Sequence, residues 1–209
     1  MNPLGRKLTI VAAAAAALTS LAIAGGPAEA TGPAASVSQS HAASGPTAVA
    51  ALSPSQLAAL PLSNRHLTKQ EITNLAVVLG AYRDAEGGHL KVNAFINSFT
   101  KDGVFHDMVA GKTYRGQALG DVLTNMAAIF PDVHRALYRI TVNGDQISIE
   151  LAIQGTFEGP LHTPAGIVQP NGAKINVPTA DFWYLKDGKI TKFDCYVGYT
   201  DMYAQMGIK

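Results

Sequence analysis

The chain has 209 residues, 47% of them apolar and 15% charged, with a formal net charge of +1. That length predicts one globular domain, and Lys and Arg scattered along it exclude a nucleic-acid footprint, which needs a clustered basic face. The single cysteine, Cys195, excludes an internal disulfide, so stability must come from an ordinary packed core.

Arg6 and Lys7 precede an Ala-dominated apolar stretch from Leu8 to Ala24, and Ala28-Glu29-Ala30 fits a small-x-small cleavage site. Residues 1–30 therefore read as a signal peptide, with the mature chain beginning at Thr31 and a secreted, extracytoplasmic location. The rival is a retained anchor, for which the stretch is short and weakly apolar. After cleavage no membrane partner is expected. Residues 31–65 are rich in Ala, Ser, Pro and Gly without an apolar period and read as a disordered linker. The domain is expected over residues 66–209.

Thr68 to Glu71 is a T-x-x-E capping box opening a helix with Leu75, Val78, Leu79 and Tyr82 at helical spacing. Gly87-Gly88 ends it. Val92, Phe95, Ile96 and Phe99 predict a second short helix, and Asp102-Gly103 turns the chain into a strand, Val104 to Met108. A loop with Gly111 and Gly116 leads to a third helix carrying Leu119, Val122, Leu123, Met126 and Ile129, which ends at Phe130-Pro131-Asp132.

The remainder reads as sheet. His134 to Val142 and Asp145 to Thr156 flank Asn143-Gly144, a strong hairpin signal that would pair Ile140 with Ile147 and Tyr138 with Ile149. His134 and Tyr138 then share the apolar face, while Arg135, Arg139 and Glu150 lie on the polar one. Gly159 to Gly172 is expected as a long loop. Thr179 to Leu185, an Asp187-Gly188 turn and Lys189 to Val197 form the last hairpin, and Thr200 to Met206 a closing helix. Helices followed by an antiparallel sheet predict an α+β fold, with N-terminal helices packed on a curved, cone-shaped sheet whose mouth is a ligand site.

In a two-residue hairpin at Asp187-Gly188, Asp181 would lie opposite Asp194, flanked by Trp183 and Tyr196. Like charges across a ladder are unfavourable. One carboxyl would then hold its proton to higher pH and serve as acid and base. Alternatively one Asp bonds local backbone and the pair never forms. His106 is a second candidate acid/base, or a hydrogen-bonded core residue. Tyr138, Trp183, Tyr196 and His134 are candidate substrate-binding residues. The six His lack ligand spacing, so no metal is expected. No phosphate loop and no G-x-S-x-G nucleophile turn is present. Cys195 reads as a small packed apolar residue.

Asp102-Gly103-Val104-Phe105-His106-Asp107, Tyr114-Arg115-Gly116, Phe130-Pro131-Asp132, Gly144-Asp145, Gly155-Thr156-Phe157-Glu158-Gly159-Pro160-Leu161, Asp187-Gly188-Lys189-Ile190 and Gln205-Met206-Gly207 follow one another in that order. Together they resemble the SnoaL-like polyketide cyclase and ester cyclase group of the nuclear transport factor 2-like superfamily, over roughly residues 68 to 207. The resemblance implies a cone-shaped α+β barrel, a homodimer, an apolar pocket for a small hydrophobic molecule and no cofactor. It also implies intramolecular aldol chemistry driven by a pocket carboxylate. Counted from Gly207, the family's aspartate position falls on Gly198, with Asp194 four residues earlier. The His of the family's Gly-Thr-His-x-Gly motif falls on Phe157. Two functions are thus expected as alternatives: proton-transfer cyclisation or isomerisation with Asp194, Asp181 and His106 as the catalytic set, or a non-catalytic secreted binding or interaction module.

Overall fold

A computed structural model describes residues 52–208. The expected signal peptide and the first part of the expected linker lie outside these residues. Within them the linker reading needs correction. Pro54–Ala59 is a short helix, α1, opened by a Ser53–Gln56 capping box. Behind it the chain runs extended, with Ser63 N–H donating to the Ile140 carbonyl and Ile140 N–H donating to Pro61. The ordered unit thus begins before His66.

Thr68 caps α2 (Lys69–Asp84), the capping box forming as its sequence predicts. Gly87–His89 makes one 3-10 turn, and α3 spans Val92–Ser98. Strand β1 (Phe99–Asp107) starts five residues earlier than expected. The loop expected around Gly111 contains a short strand, β2 (Lys112–Arg115), paired antiparallel with β1. Helix α4 covers Ala118–Ile129. Strands β3 (His134–Asn143) and β4 (Gln146–Thr156) form the first hairpin. The expected loop 159–172 holds a small hairpin of β5 (Leu161–Thr163) and β6 (Gly166–Val168). Strands β7 (Lys174–Lys186) and β8 (Lys189–Val197) make the last hairpin, and α5 covers Tyr199–Gln205.

The main sheet has the order β2-β1-β8-β7-β4-β3 and is antiparallel except for the β1–β8 pair. One apolar core joins its inner face to the helices, through Leu75, Val78 and Tyr82 of α2, Phe95 of α3, Leu119 and Leu123 of α4, and Ile147, Ile149, Trp183 and Ile190 of the sheet. Each is removed from water, and burial of a large apolar side chain stabilises by about 1.5–3 kcal/mol.

Both hairpins depart from the simplest register. In the first, the two loop residues are Gly144 and Asp145, so Asn143 pairs with Gln146 and Ile140 with Ile149. Helix α2 selects this turn: Glu71 accepts from Gly144 N–H at 3.0 Å, and Asn74 donates to the Asp145 carboxylate at 2.9 Å. Moving the register by two residues keeps Ile140, Ile147 and Ile149 on the buried face, because side chains alternate with period two. A bulge at Tyr138 then inverts the start of β3. Tyr138 and His134 consequently point outward, while Arg135 turns inward.

The second hairpin has its turn at Asp187-Gly188, both residues at positive φ as a primed turn requires. Leu185 pairs with Ile190 as expected. Thr191 then bulges, and its hydroxyl bonds the Tyr184 carbonyl at 3.0 Å. Beyond it Trp183 pairs with Phe193, Phe182 with Asp194 and Asp181 with Cys195. The opposed Asp181–Asp194 pair therefore does not form.

Gly159 sits where the chain leaves β4 under the end of α4. A β-carbon there would lie 1.7 Å from the Ala128 carbonyl oxygen. Gly159→Ala is expected to lower unfolding free energy by about 2–3 kcal/mol in denaturant titration, as overpacking does. Gly88→Ala, where nothing lies within 4 Å, should stay within about 0.5 kcal/mol of the parent.

Candidate functional site

Between the inner face of the sheet and helices α2, α3 and α4 lies a cavity of about 60 Å³. Phe95, Phe105, Leu123, Met126, Leu151 and Phe193 give it apolar walls, and Tyr82, Asp107, Arg135, Asp181, Trp183 and Tyr199 bring polar atoms to it. A mostly apolar hollow with a few converging polar groups is what a small-molecule site needs.

Asp181 is part of its wall. The residue is 2% exposed. Its Oδ2 accepts from the Tyr82 hydroxyl at 2.6 Å, and the Tyr82 oxygen in turn accepts from Trp183 Nε1–H at 3.0 Å. Tyr82 and Trp183 also meet edge to face, with ring centroids 5.3 Å apart, while Trp183 stacks on Phe193. These contacts fix Asp181 in one rotamer. Its other oxygen, Oδ1, is buried and makes no hydrogen bond of normal geometry, with the weakly donating Cys195 thiol of the paired strand as its neighbour. An under-satisfied buried acceptor is costly and asks for an occupant. Burial pushes the Asp181 pKa up to about 6, against the opposing pull of the Cys195 thiol, the Tyr82 hydroxyl and the more distant Arg135 charge. The carboxyl therefore exchanges its proton near neutral pH.

A second carboxylate, Asp107, enters from the end of β1. Its Oδ1 accepts from Ala110 N–H at 2.9 Å, and its Oδ2 from the Tyr199 hydroxyl. Burial and that carboxylate both push the Tyr199 phenol well above its ordinary pKa, so Tyr199 remains a proton donor. Arg135 reaches inward from the inverted start of β3. One Nη1–H donates to the Ala85 carbonyl at 2.7 Å, and Glu86 Oε1 lies 3.7 Å away. Burial raises the Glu86 pKa, with Arg135 opposing. The Cys195 thiol is pushed well above its ordinary pKa, first by burial and then by Asp181, which keeps it an unreactive thiol.

The other sequence candidates lie apart from this cavity. Asp194 and His106 are neighbours across the parallel β1–β8 ladder, on the outer sheet face. His106 Nδ1 and Asp194 Oδ1 are 2.7 Å apart, and Lys192 Nζ donates to Asp194 Oδ2 at 2.7 Å. Tyr196 is 42% exposed and meets Phe182 edge to face on that same side. Tyr138 is 55% exposed, and exposed His134 bonds the Asp132 carbonyl. Of the proposed set, Asp181 and Trp183 alone line the cavity. Phe157 is fully buried in the core. At Gly198 a β-carbon would come within 3.0 Å of the Pro178 carbonyl, which leaves little room for a side chain.

The sequence reading missed Tyr82, Asp107, Arg135 and Tyr199. Tyr82 sits on the apolar stripe of α2 and reads as core. Asp107 shares the inner face with Phe105 by simple alternation, a signal that was available. Arg135 was hidden by the Tyr138 bulge. Among the described residues no group of three His, Cys, Asp or Glu is placed to hold a metal.

The SnoaL-like domain family model matches residues 80–193. Solved structures with the same fold include a protein with a ketosteroid isomerase-like fold from Catenulispora acidiphila DSM 44928, in complex with trimethylamine. It is 22% identical, with a TM-score of 0.53 over 64% of this chain and 93% of that one. A candidate SnoaL-like polyketide cyclase from Jannaschia sp. CCS1 is 17% identical, with a TM-score of 0.59 over 70% and 99%. A candidate polyketide cyclase from Bacillus cereus ATCC 10987 is 21% identical, with a TM-score of 0.57 over 71% and 91%. No curated protein matches the chain.

Because the folded-state pKa of Asp181 lies above its ordinary value of 3.8, the folded state binds that proton more tightly than the unfolded state. Its contribution to stability is present below pH 3.8 and is lost as pH rises through 6. Asp181→Asn should therefore gain stability relative to the parent between pH 4 and pH 7.5, by up to about 3 kcal/mol. Thermal unfolding of both proteins at those two pH values measures it.

Proposed function

The chain belongs to the SnoaL-like domain family, and we propose that its cavity binds a small, largely apolar carbonyl compound on which Asp181 acts as general acid and base. The reaction class is cofactor-independent proton transfer leading to aldol-type cyclisation or isomerisation. Asp181 carries this assignment: it lines the cavity, one of its oxygens is held by Tyr82, and the other is buried without a hydrogen bond of normal geometry.

In this reading Asp181 Oδ1 takes a proton from the carbon beside the substrate carbonyl. The electron pair moves into an enolate, whose oxygen accepts a hydrogen bond from the Arg135 guanidinium at the cavity wall. The enolate carbon then attacks a second carbonyl, or is reprotonated at a new position. Asp181 returns the proton in either case, so no redox partner is needed. A pKa of about 6 suits both halves of that cycle. The Tyr82–Trp183 chain keeps the carboxyl from rotating away, a positioning role.

The small volume, about 60 Å³, also fits a non-catalytic module that holds a compact guest. Exchange of α-protons separates the two readings. With cyclohexanone in D₂O followed by proton NMR, the parent should accelerate α-deuteration, with a rate that rises through pH 6 and levels above it. Asp181→Asn should lose about 10²- to 10⁴-fold of that rate. Saturable binding without any exchange would identify the binding module instead.

The apolar run 8–24 and the Ala28-Glu29-Ala30 site support export of the domain. N-terminal sequencing of protein secreted by a bacterial expression host should read from Thr31. An uncut N-terminus on membrane-bound protein would oppose it.

A further inference from the structure

Arg135 is the one guanidinium at a cavity that also holds two carboxyl groups, Asp107 and Asp181. It presents five N–H donors in a fixed planar fork. Among the described residues the guanidinium makes one hydrogen bond, from Nη1 to the Ala85 carbonyl. Glu86 Oε1 stands 3.7 Å from Nη1, beyond hydrogen-bond distance, while Glu86 accepts instead from the Arg135 backbone N–H. The Arg135 side chain is 14% exposed, and its remaining donors are left open to whatever fills the cavity or its mouth. The inverted strand start that turns Arg135 inward costs one ladder pairing at Tyr138.

We infer that Arg135 determines ligand specificity: its unused guanidinium donors hold a neutral carbonyl oxygen, so that the cavity selects ketones and esters over both hydrocarbons and carboxylates. The inference rests on the ligand-binding reading of this cavity and adds the group that recognises the ligand. The neutrality of the acceptor follows from the charges already present. A guanidinium in isolation favours a carboxylate. Here Asp107 and Asp181 line the same cavity and Glu86 lies 3.7 Å from the Arg135 fork, and a further carboxyl group in that space meets repulsion that one cation does not offset. A carbonyl dipole accepts the same hydrogen bonds without that repulsion. A hydrocarbon leaves the donors unmet, which is the basis of strong discrimination by buried polar groups.

Trp183 is the single tryptophan of the chain and lines the cavity, so its fluorescence reports occupancy. Titration of the parent at pH 7.5 with cyclohexanone, methylcyclohexane and cyclohexanecarboxylate should give the ketone the tightest binding. The expected preference over the hydrocarbon is about 10- to 100-fold, the worth of a hydrogen bond to a charged group. In Arg135→Leu the ketone and the hydrocarbon should bind within about twofold of each other, and Arg135→Lys, which keeps the charge without the fork, should fall between. The parent titrations stand even if a variant fails to fold. Equal binding of ketone and hydrocarbon, tighter binding of the carboxylate, or an unchanged preference in Arg135→Leu would overturn the role of Arg135 while leaving the cavity a binding site. Failure of all three probes to bind the parent would remove the binding-site reading itself.

Discussion

The period-two alternation of β-strands governs what this molecule presents to its interior. Along β8 a single inserted residue, Thr191, decides which side chains face the cavity and which face out. With the bulge, Phe193, Cys195 and Val197 line the interior, and Asp194 goes to the opposite face with Lys192 and His106. Without it, Asp194 would join Asp107 and Asp181, and three carboxyl groups would share one mostly apolar hollow. The Thr191 hydroxyl stabilises the insertion by bonding the Tyr184 carbonyl. The same logic operates at Tyr138 on β3, where a bulge exchanges a tyrosine for an arginine at the interior.

Much of the fold was legible in the sequence, because local chemistry and apolar period agree there. The Thr68 capping box, the α4 stripe, the primed turn at Asp187-Gly188 and the closing helix all form near their expected positions. The short strands β2, β5 and β6 escaped detection, since three or four residues are too few to display alternation. Helix α1 was obscured by the Ala- and Ser-rich composition around it. The site was less legible for one physical reason: bulges have no strong local signature, yet each reverses every side chain beyond it. Asp181 and Trp183, on β7, which itself carries no inserted residue, were placed in the cavity. Asp194, beyond the Thr191 bulge, was not. The turn at Gly144-Asp145 depends on Glu71 and Asn74, some seventy residues away, and no window around the turn contains that information.

The site carboxylate enters from β7 instead of from the end of β8. At Gly198 the chain turns into α5 with the Pro178 carbonyl close by, and glycine suits that crowded corner. Asp181 reaches the cavity from the neighbouring strand, held by Tyr82 of α2. One helix and one strand, joined by a single short hydrogen bond between residues 99 positions apart, thus hold the buried carboxyl. Rigid elements keep such a group in place better than a loop would.

The sheet ends on one side at β3, where a row of backbone donors and acceptors would otherwise stand open. Residues 61–64 fill part of that row: Pro61 and Ser63 bond Ile140, and the Asn64 side chain bonds both backbone groups of Val142. The stretch acts as a stopper against self-templating, since an exposed edge recruits foreign strands into aggregates. Proline at its head suits the task, because it offers no N–H to a further strand on that side. The arm that leads into the domain is therefore also its colloidal safeguard, and a protease cut between α1 and α2 would expose a sticky edge while leaving the cavity intact.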